Sequence, residues 1–152
     1  TSSGTTKGGA SQPMAMRALP GWRQVDYRGQ VDRDGVQKVL SESVAGLVTL
    51  LPIINYVDSQ PVKMFEYMSA ELPVIASDFP LWRQIIEGEQ AGVCVDPQSP
   101  VAIAGAIRRV VDDTELAQRM GKAGRAAVLR TYNWPGEAKK LVQRYGVLLA
   151  GR

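Results

Sequence analysis

The chain has 152 residues, 45% of them hydrophobic, enough to bury one core and to argue for one domain. Its net charge of +3, from 18 basic and 15 acidic residues, would suit an anionic substrate or a membrane surface, but the charges are interspersed along amphipathic helices and read as a solvated surface; no nucleic-acid partner is expected. There is no run of 18 apolar residues, no visible secretory signal, no histidine and one cysteine, so a membrane span, an internal disulfide, a zinc cluster and a histidine base are excluded; neither metal nor cofactor is expected, and the reducing cytoplasm is the expected location.

Residues 1–18 are rich in Ser, Thr, Gly and Ala without hydrophobic period and read as a disordered or loosely packed leader, with ordered structure over 19–152. A strand is predicted at Gln24 to Arg28, a helix at Asp34 to Ser43 and a strand at Gly46 to Leu51. A helix at Pro61 to Ala70, a strand at Pro73 to Ala76, a helix at Leu81 to Glu87 and a strand at Gly92 to Val95 follow. Three helices close the chain, at Pro100 to Val111, Thr114 to Thr131 and Pro135 to Leu149. Strands alternating with helices predict right-handed crossovers and a largely parallel sheet covered by helices on both faces. Cys94 falls in the apolar run Gly92 to Val95 and reads as a small buried side chain, not a nucleophile.

The stretch from Asp58 to Asp78 carries the most chemistry. Pro61 suits a first helical position because its missing N–H is not needed there, and Asp58 or Ser59 stands where a capping oxygen is useful. Met64, Phe65 and Met68 fall on one side at helical spacing, leaving Lys63, Glu66 and Tyr67 on or near the other. A loop that brings a helix N-terminus beside a parallel sheet favours anions, since unpaired amides and the helix dipole both attract phosphate. A nucleotide is therefore the ligand to expect. Each residue also has a plainer role: Glu66 as a surface acid, Asp58 as a cap, Lys63 as a solvated first-turn lysine, and Trp82 at the exit of the third predicted strand as core filler.

The segment Asp58-Ser-Gln-Pro-Val-Lys-Met-Phe-Glu66 resembles the donor-binding signature of retaining glycosyltransferases of the GT-B fold, family 4 (group 1), in which two acids flank the same strand-loop-helix corner. The likeness extends to Gly46-Leu-Val-Thr-Leu-Leu-Pro52, Ser77-Asp-Phe-Pro-Leu-Trp82, Gly92-Val-Cys-Val-Asp-Pro97, Met120-Gly-Lys-Ala-Gly-Arg125 and Tyr132-Asn-Trp134, in the family's order. It implies that Glu66 holds the ribose hydroxyls of a nucleoside diphosphate sugar, that Asp58 faces the transferred sugar, and that Ser59, Pro61, Val62 and Lys63 border the diphosphate. Asp58 replaces the usual Glu, Ser59-Gln60-Pro61 replaces a common Gly-Phe-Gly, and Glu71 replaces a Gly that commonly ends the helix in a left-handed backbone.

The resemblance also implies a Rossmann-like α/β fold, the C-terminal half of a GT-B enzyme, here matching the third to sixth strands and lacking the first two. With those strands goes the basic pair that neutralises the diphosphate, and with the first domain go the acceptor site and the usual catalytic groups. The expected function is thus the donor-binding part of an enzyme that transfers a sugar from a nucleoside diphosphate sugar to a glycan, lipid or small-molecule hydroxyl. It would be inactive alone and would rely on a missing N-terminal domain, with the inner membrane face as a second location. A GT-B nucleotide-sugar epimerase and a non-catalytic α/β interaction module are the alternatives.

Overall fold

A computed structural model of the chain describes residues 16–150, so most of the expected leader lies outside the described residues. The chain divides into two units at Asp34 and Gly35. In the first, Pro20 opens a short 3₁₀ helix, Pro20–Gln24, and the rings of Trp22 and Tyr27 stand 5.9 Å apart. The strand predicted at Gln24 to Arg28 does not form. A strand holds its N–H and C=O groups only against a ladder partner, and this segment has none; Val25 and Tyr27 are 50% and 55% exposed.

Helix α1, Arg33–Glu42, spans the division between the units. In the second unit, strand β1, Gly46–Val48, is shorter than predicted because the chain turns away toward Pro52, which cannot donate to a ladder. A single helical turn, α2, Ile54–Val57, follows, and then helix α3, Val62–Ser69. Strand β2, Val74–Ser77, helix α4, Pro80–Ile86, and strand β3, Gly92–Val95, match the predicted order closely. Helices α5, Pro100–Asp112, α6, Thr114–Arg130, and α7, Trp134–Ala150, complete the chain.

The three strands are parallel in the order β1-β2-β3, with Gly46 opposite Val74 and Val74 opposite Gly92. Strand β2 is buried on both faces, as its unbroken apolar run requires. Val74 and Ala76 point to a core with Met64 and Met68 of α3 and Trp82, Ile85 and Ile86 of α4. Ile75 points the other way, against Ala106 and Val110 of α5 and Ala117 of α6. Each of the large side chains fully removed from water stabilises the fold by roughly 1.5–3 kcal/mol. Helix α6 crosses the N-terminal ends of the strands, and its glycines permit the approach: a Cβ at Gly121 would lie 1.9 Å from the carbonyl oxygen of Glu71, and one at Gly124 would lie 3.3 Å from Met68. The Met120 to Arg125 landmark is thus a packing device at the end of the sheet opposite the predicted site.

Candidate functional site

At the C-terminal ends of β1 and β2, two buried side chains shape the connection from β1 to α3. Ser77 closes β2, and its Oγ donates to the carbonyl oxygen of Leu50 at 2.6 Å. Trp82 is wholly buried, stacks edge-on against Phe79 at 4.8 Å, and donates its Nε1–H to the carbonyl oxygen of Ser59 at 2.6 Å. Its expected place in the core holds, but the indole N–H makes a second contact that periodicity could not reveal. A buried Trp needs a partner for that N–H, which is the one sequence signal that pointed to it. Ser77, a small polar residue at the end of an apolar strand, carried a weaker signal of the same kind.

The expectation that Asp58 or Ser59 caps the motif helix is corrected. Asp58 instead closes α2, and the N–H and hydroxyl of Ser59 both turn back to the carbonyl oxygen of Tyr56, at 3.1 and 2.9 Å. Pro61 is the N-cap of α3, one position earlier than expected, with φ −66° and ψ 130°, and no side chain caps the helix. The three helices that close the chain behave differently. Ser99 Oγ accepts from Ala102 N–H at 3.2 Å, Asp113 Oδ1 from Leu116 N–H at 2.8 Å, and Asn133 Oδ1 from Gly136 N–H at 2.9 Å. The first-turn amides of α3 therefore remain without a side-chain acceptor, beside the ends of the strands.

Met64 and Met68, both fully buried, fix the rotation of α3. That rotation leaves Val62, Lys63 and Glu66 exposed. The structure thus brings Asp58, Ser59, Pro61, Val62 and Lys63 together as one turn and helix start, with Glu66 on the open side of the same helix. The side chains of Asp58, Lys63 and Glu66 form no hydrogen bond or ion pair among the described residues. Burial, and then the neighbouring Glu66 charge, pushes the Tyr67 phenol up. Arg83, the basic residue at the exit of β2, is committed to Asp78: its Nε donates to Asp78 Oδ1 at 2.7 Å, its Nη2 joins the same oxygen, and this bond pushes the guanidinium pKa up. It offers little spare charge to a ligand.

Cys94 lies on the outer edge of β3, its N–H bonded to Glu87 Oε1 at 3.1 Å. Burial first, then the Glu87 carboxylate, pushes its thiol up to about 12, which leaves it protonated and a poor nucleophile. No group of three His, Cys, Asp or Glu side chains able to hold a metal occurs among the described residues. No helix there is long and apolar enough to cross a membrane. Trp134, the end of the Tyr132-Asn-Trp134 landmark, opens α7 and is 74% exposed.

Comparison with known proteins agrees with this architecture. The chain is 30% identical over 121 residues to phosphatidyl-myo-inositol mannosyltransferase of Mycobacterium leprae (strain TN), a match covering 80% of this chain and 31% of the relative. Its fold superposes on sucrose-phosphate synthase from Thermosynechococcus elongatus with a TM-score of 0.74 at 29% identity, over 86% of this chain and 31% of that one. The chain therefore spans about a third of the length of these relatives. The model of the glycosyl transferases group 1 family matches residues 15–127, most of the chain, and the protein belongs to that family.

Proposed function

We propose that the chain is the donor-binding part of a family 4 glycosyltransferase that moves a sugar from a nucleoside diphosphate sugar to an acceptor hydroxyl with retention at the anomeric carbon. The observation that carries this reading is the uncapped start of α3 at the C-terminal side of a parallel sheet, with an exposed, unpaired Glu66 on the same helix. Amides of the first turn and the helix dipole stabilise the diphosphate, both bound and departing. Lys63 adds positive charge. Glu66 accepts two ribose hydroxyls, and Asp58 faces the sugar. Acceptor binding and the remaining catalytic groups come from sequence beyond this chain, so the chain alone transfers no sugar. Membership in a glycosyl transferase family favours transfer over epimerisation and over a non-catalytic role. The relative named for a phosphatidyl-inositol substrate supports a lipid among the possible acceptors, and with it work at the cytoplasmic membrane face.

The test is calorimetry with a nucleoside diphosphate and with its sugar conjugate, on the full-length enzyme. Glu66→Ala removes a charged acceptor and weakens both ligands by about 1.5–3 kcal/mol. Asp58→Asn weakens the sugar conjugate and leaves the diphosphate nearly unchanged. Equal losses for the two variants, or none for Glu66→Ala, would show that the roles are assigned to the wrong residues.

A further inference from the structure

We infer that Ser77 and Trp82 are positioning residues for the donor corner, acting as a two-point clamp on the segment between β1 and α3; this rests on the donor reading above. The two contacts are independent and both come from the β2–α4 corner. Ser77 Oγ reaches Leu50 O at 2.6 Å, where the segment leaves the sheet. Trp82 Nε1 reaches Ser59 O at 2.6 Å, two residues before the cap of α3. Both donors are fully buried, the carbonyls they reach lie on partly exposed residues, and loss of either donor leaves its carbonyl without that partner.

Between the clamped carbonyls, one side chain, the partly buried Val57, packs against the core. Leu51, Ile53, Ile54 and Tyr56 are exposed, Ile54 to 85%, and α2 is a single turn. Such a segment would not hold Asp58 in one place by its own packing. The clamp does so at both ends, and it ties the corner to β2, the most buried strand. Because Ser59 O is the clamped atom, the clamp itself engages neither the Ser59 hydroxyl, which bonds Tyr56 O, nor the first amides of α3.

The experiment compares Trp82→Phe, which keeps an aromatic ring against Phe79 but removes the N–H, and Ser77→Ala with the unaltered full chain. Amide exchange is followed at Val57, Ser59 and Met64, whose N–H groups bond Ile53, Tyr56 and Pro61 carbonyls. Val74 and Ile103, bonded to Ala91 and Ser99, serve as distant reporters. In parallel, UDP, GDP and ADP are titrated into each protein. Trp82→Phe is expected to speed exchange at Ser59 and Val57 at least about tenfold, to change Val74 and Ile103 less than about twofold, and to weaken the nucleotide that binds by about tenfold, the scale of one buried hydrogen bond. Ser77→Ala should act most on Val57. Uniform acceleration at all five amides, or no change at Ser59, overturns the clamp. If local exchange rises as expected while no nucleotide binds the unaltered chain, the clamp stands and the donor reading falls. If a nucleotide binds and Trp82→Phe leaves its affinity unchanged, the positioning role falls.

Discussion

Glu71 occupies a position where the fold asks for glycine, and the cost can be isolated by two substitutions. Helix α3 ends in a Schellman motif: the N–H of Leu72 bonds Tyr67 O at 3.0 Å, and that of Glu71 bonds Met68 O at 3.2 Å. Such an ending requires a left-handed residue, and Glu71 has φ +58°. For a residue with a Cβ this conformation costs about 1–2 kcal/mol. Glycine relieves the cost but gives back about 0.4–1 kcal/mol through the greater freedom of the unfolded chain. Glu71 also meets Arg125 Nε at 3.5 Å, with both side chains about half exposed, a pair worth little after solvent screening. Glu71→Ala loses that pair and keeps the strain, whereas Glu71→Gly loses the pair and the strain together. The glycine variant should therefore be more stable than the alanine variant by about 0.5–1 kcal/mol, or about 1–4 °C in melting temperature. Thermal unfolding followed by far-UV circular dichroism measures this directly. A glycine variant that melts at or below the alanine variant would refute the reasoning.

Gly121→Ala should destabilise by about 1–3 kcal/mol, since its Cβ would collide with Glu71 backbone, whereas Gly105→Ala, in open space within helix α5, should stabilise by about 0.5–1 kcal/mol; urea titrations of the two reporting the same sign would contradict the close approach of α6. Cys94 should resist thiol reagents at pH 8 in the native chain and react once unfolded. Its native pKa is raised, so the protonated thiol contributes fully below the ordinary value of 9.0, and that contribution is lost as pH climbs from there toward 12 because the unfolded chain releases its proton first. The expected loss at pH 10 is on the order of 1 kcal/mol at most, discounted for the thiol's partial exposure. Urea midpoints at pH 8 and pH 10 check it, and an equal drop in Cys94→Ala would assign the effect elsewhere.

What the sequence made legible follows the range of the forces involved. Helices α5, α6 and α7 and strands β2 and β3 lie within one or two residues of their predicted spans, because apolar period, prolines and capping residues are local signals. The strand at Gln24 failed because pairing is not local: alternation of Val25 and Tyr27 says nothing about whether a neighbouring strand exists. Within the site, the orientation of Glu66 and Lys63 was readable from the methionines that turn α3 inward. The fate of Asp58 and Ser59 was not. A capping oxygen and a residue that closes a preceding turn look the same in sequence, and only α2, a single turn without apolar period, decides between them. The contacts from Ser77 and Trp82 span 27 and 23 residues and left almost no local trace.

The choice of Pro61 at the start of α3 offers the sharpest check on whether those amides are kept for a ligand. Proline contributes nothing to the cap beyond its fixed φ, although Asp or Asn there would satisfy an amide of the first turn. Pro61→Asp should gain about 0.5–2 kcal/mol from capping and lose about 0.4–1 kcal/mol of the rigidity that proline confers on the unfolded chain, so stability should change by between about −0.5 and about +1.6 kcal/mol. If a diphosphate uses the same amides, the new carboxylate occupies them and adds a like charge. Nucleoside diphosphate affinity should then fall at least about tenfold, a loss of about 1.4 kcal/mol. Pro61→Asn, which caps without charge, should lose less, and the gap between the two reports the electrostatic share. Urea unfolding and calorimetry on the same preparations give both quantities. Undiminished nucleotide affinity in a stably folded Pro61→Asp protein would mean that the helix start is open for some other reason, and the diphosphate would have to be placed elsewhere.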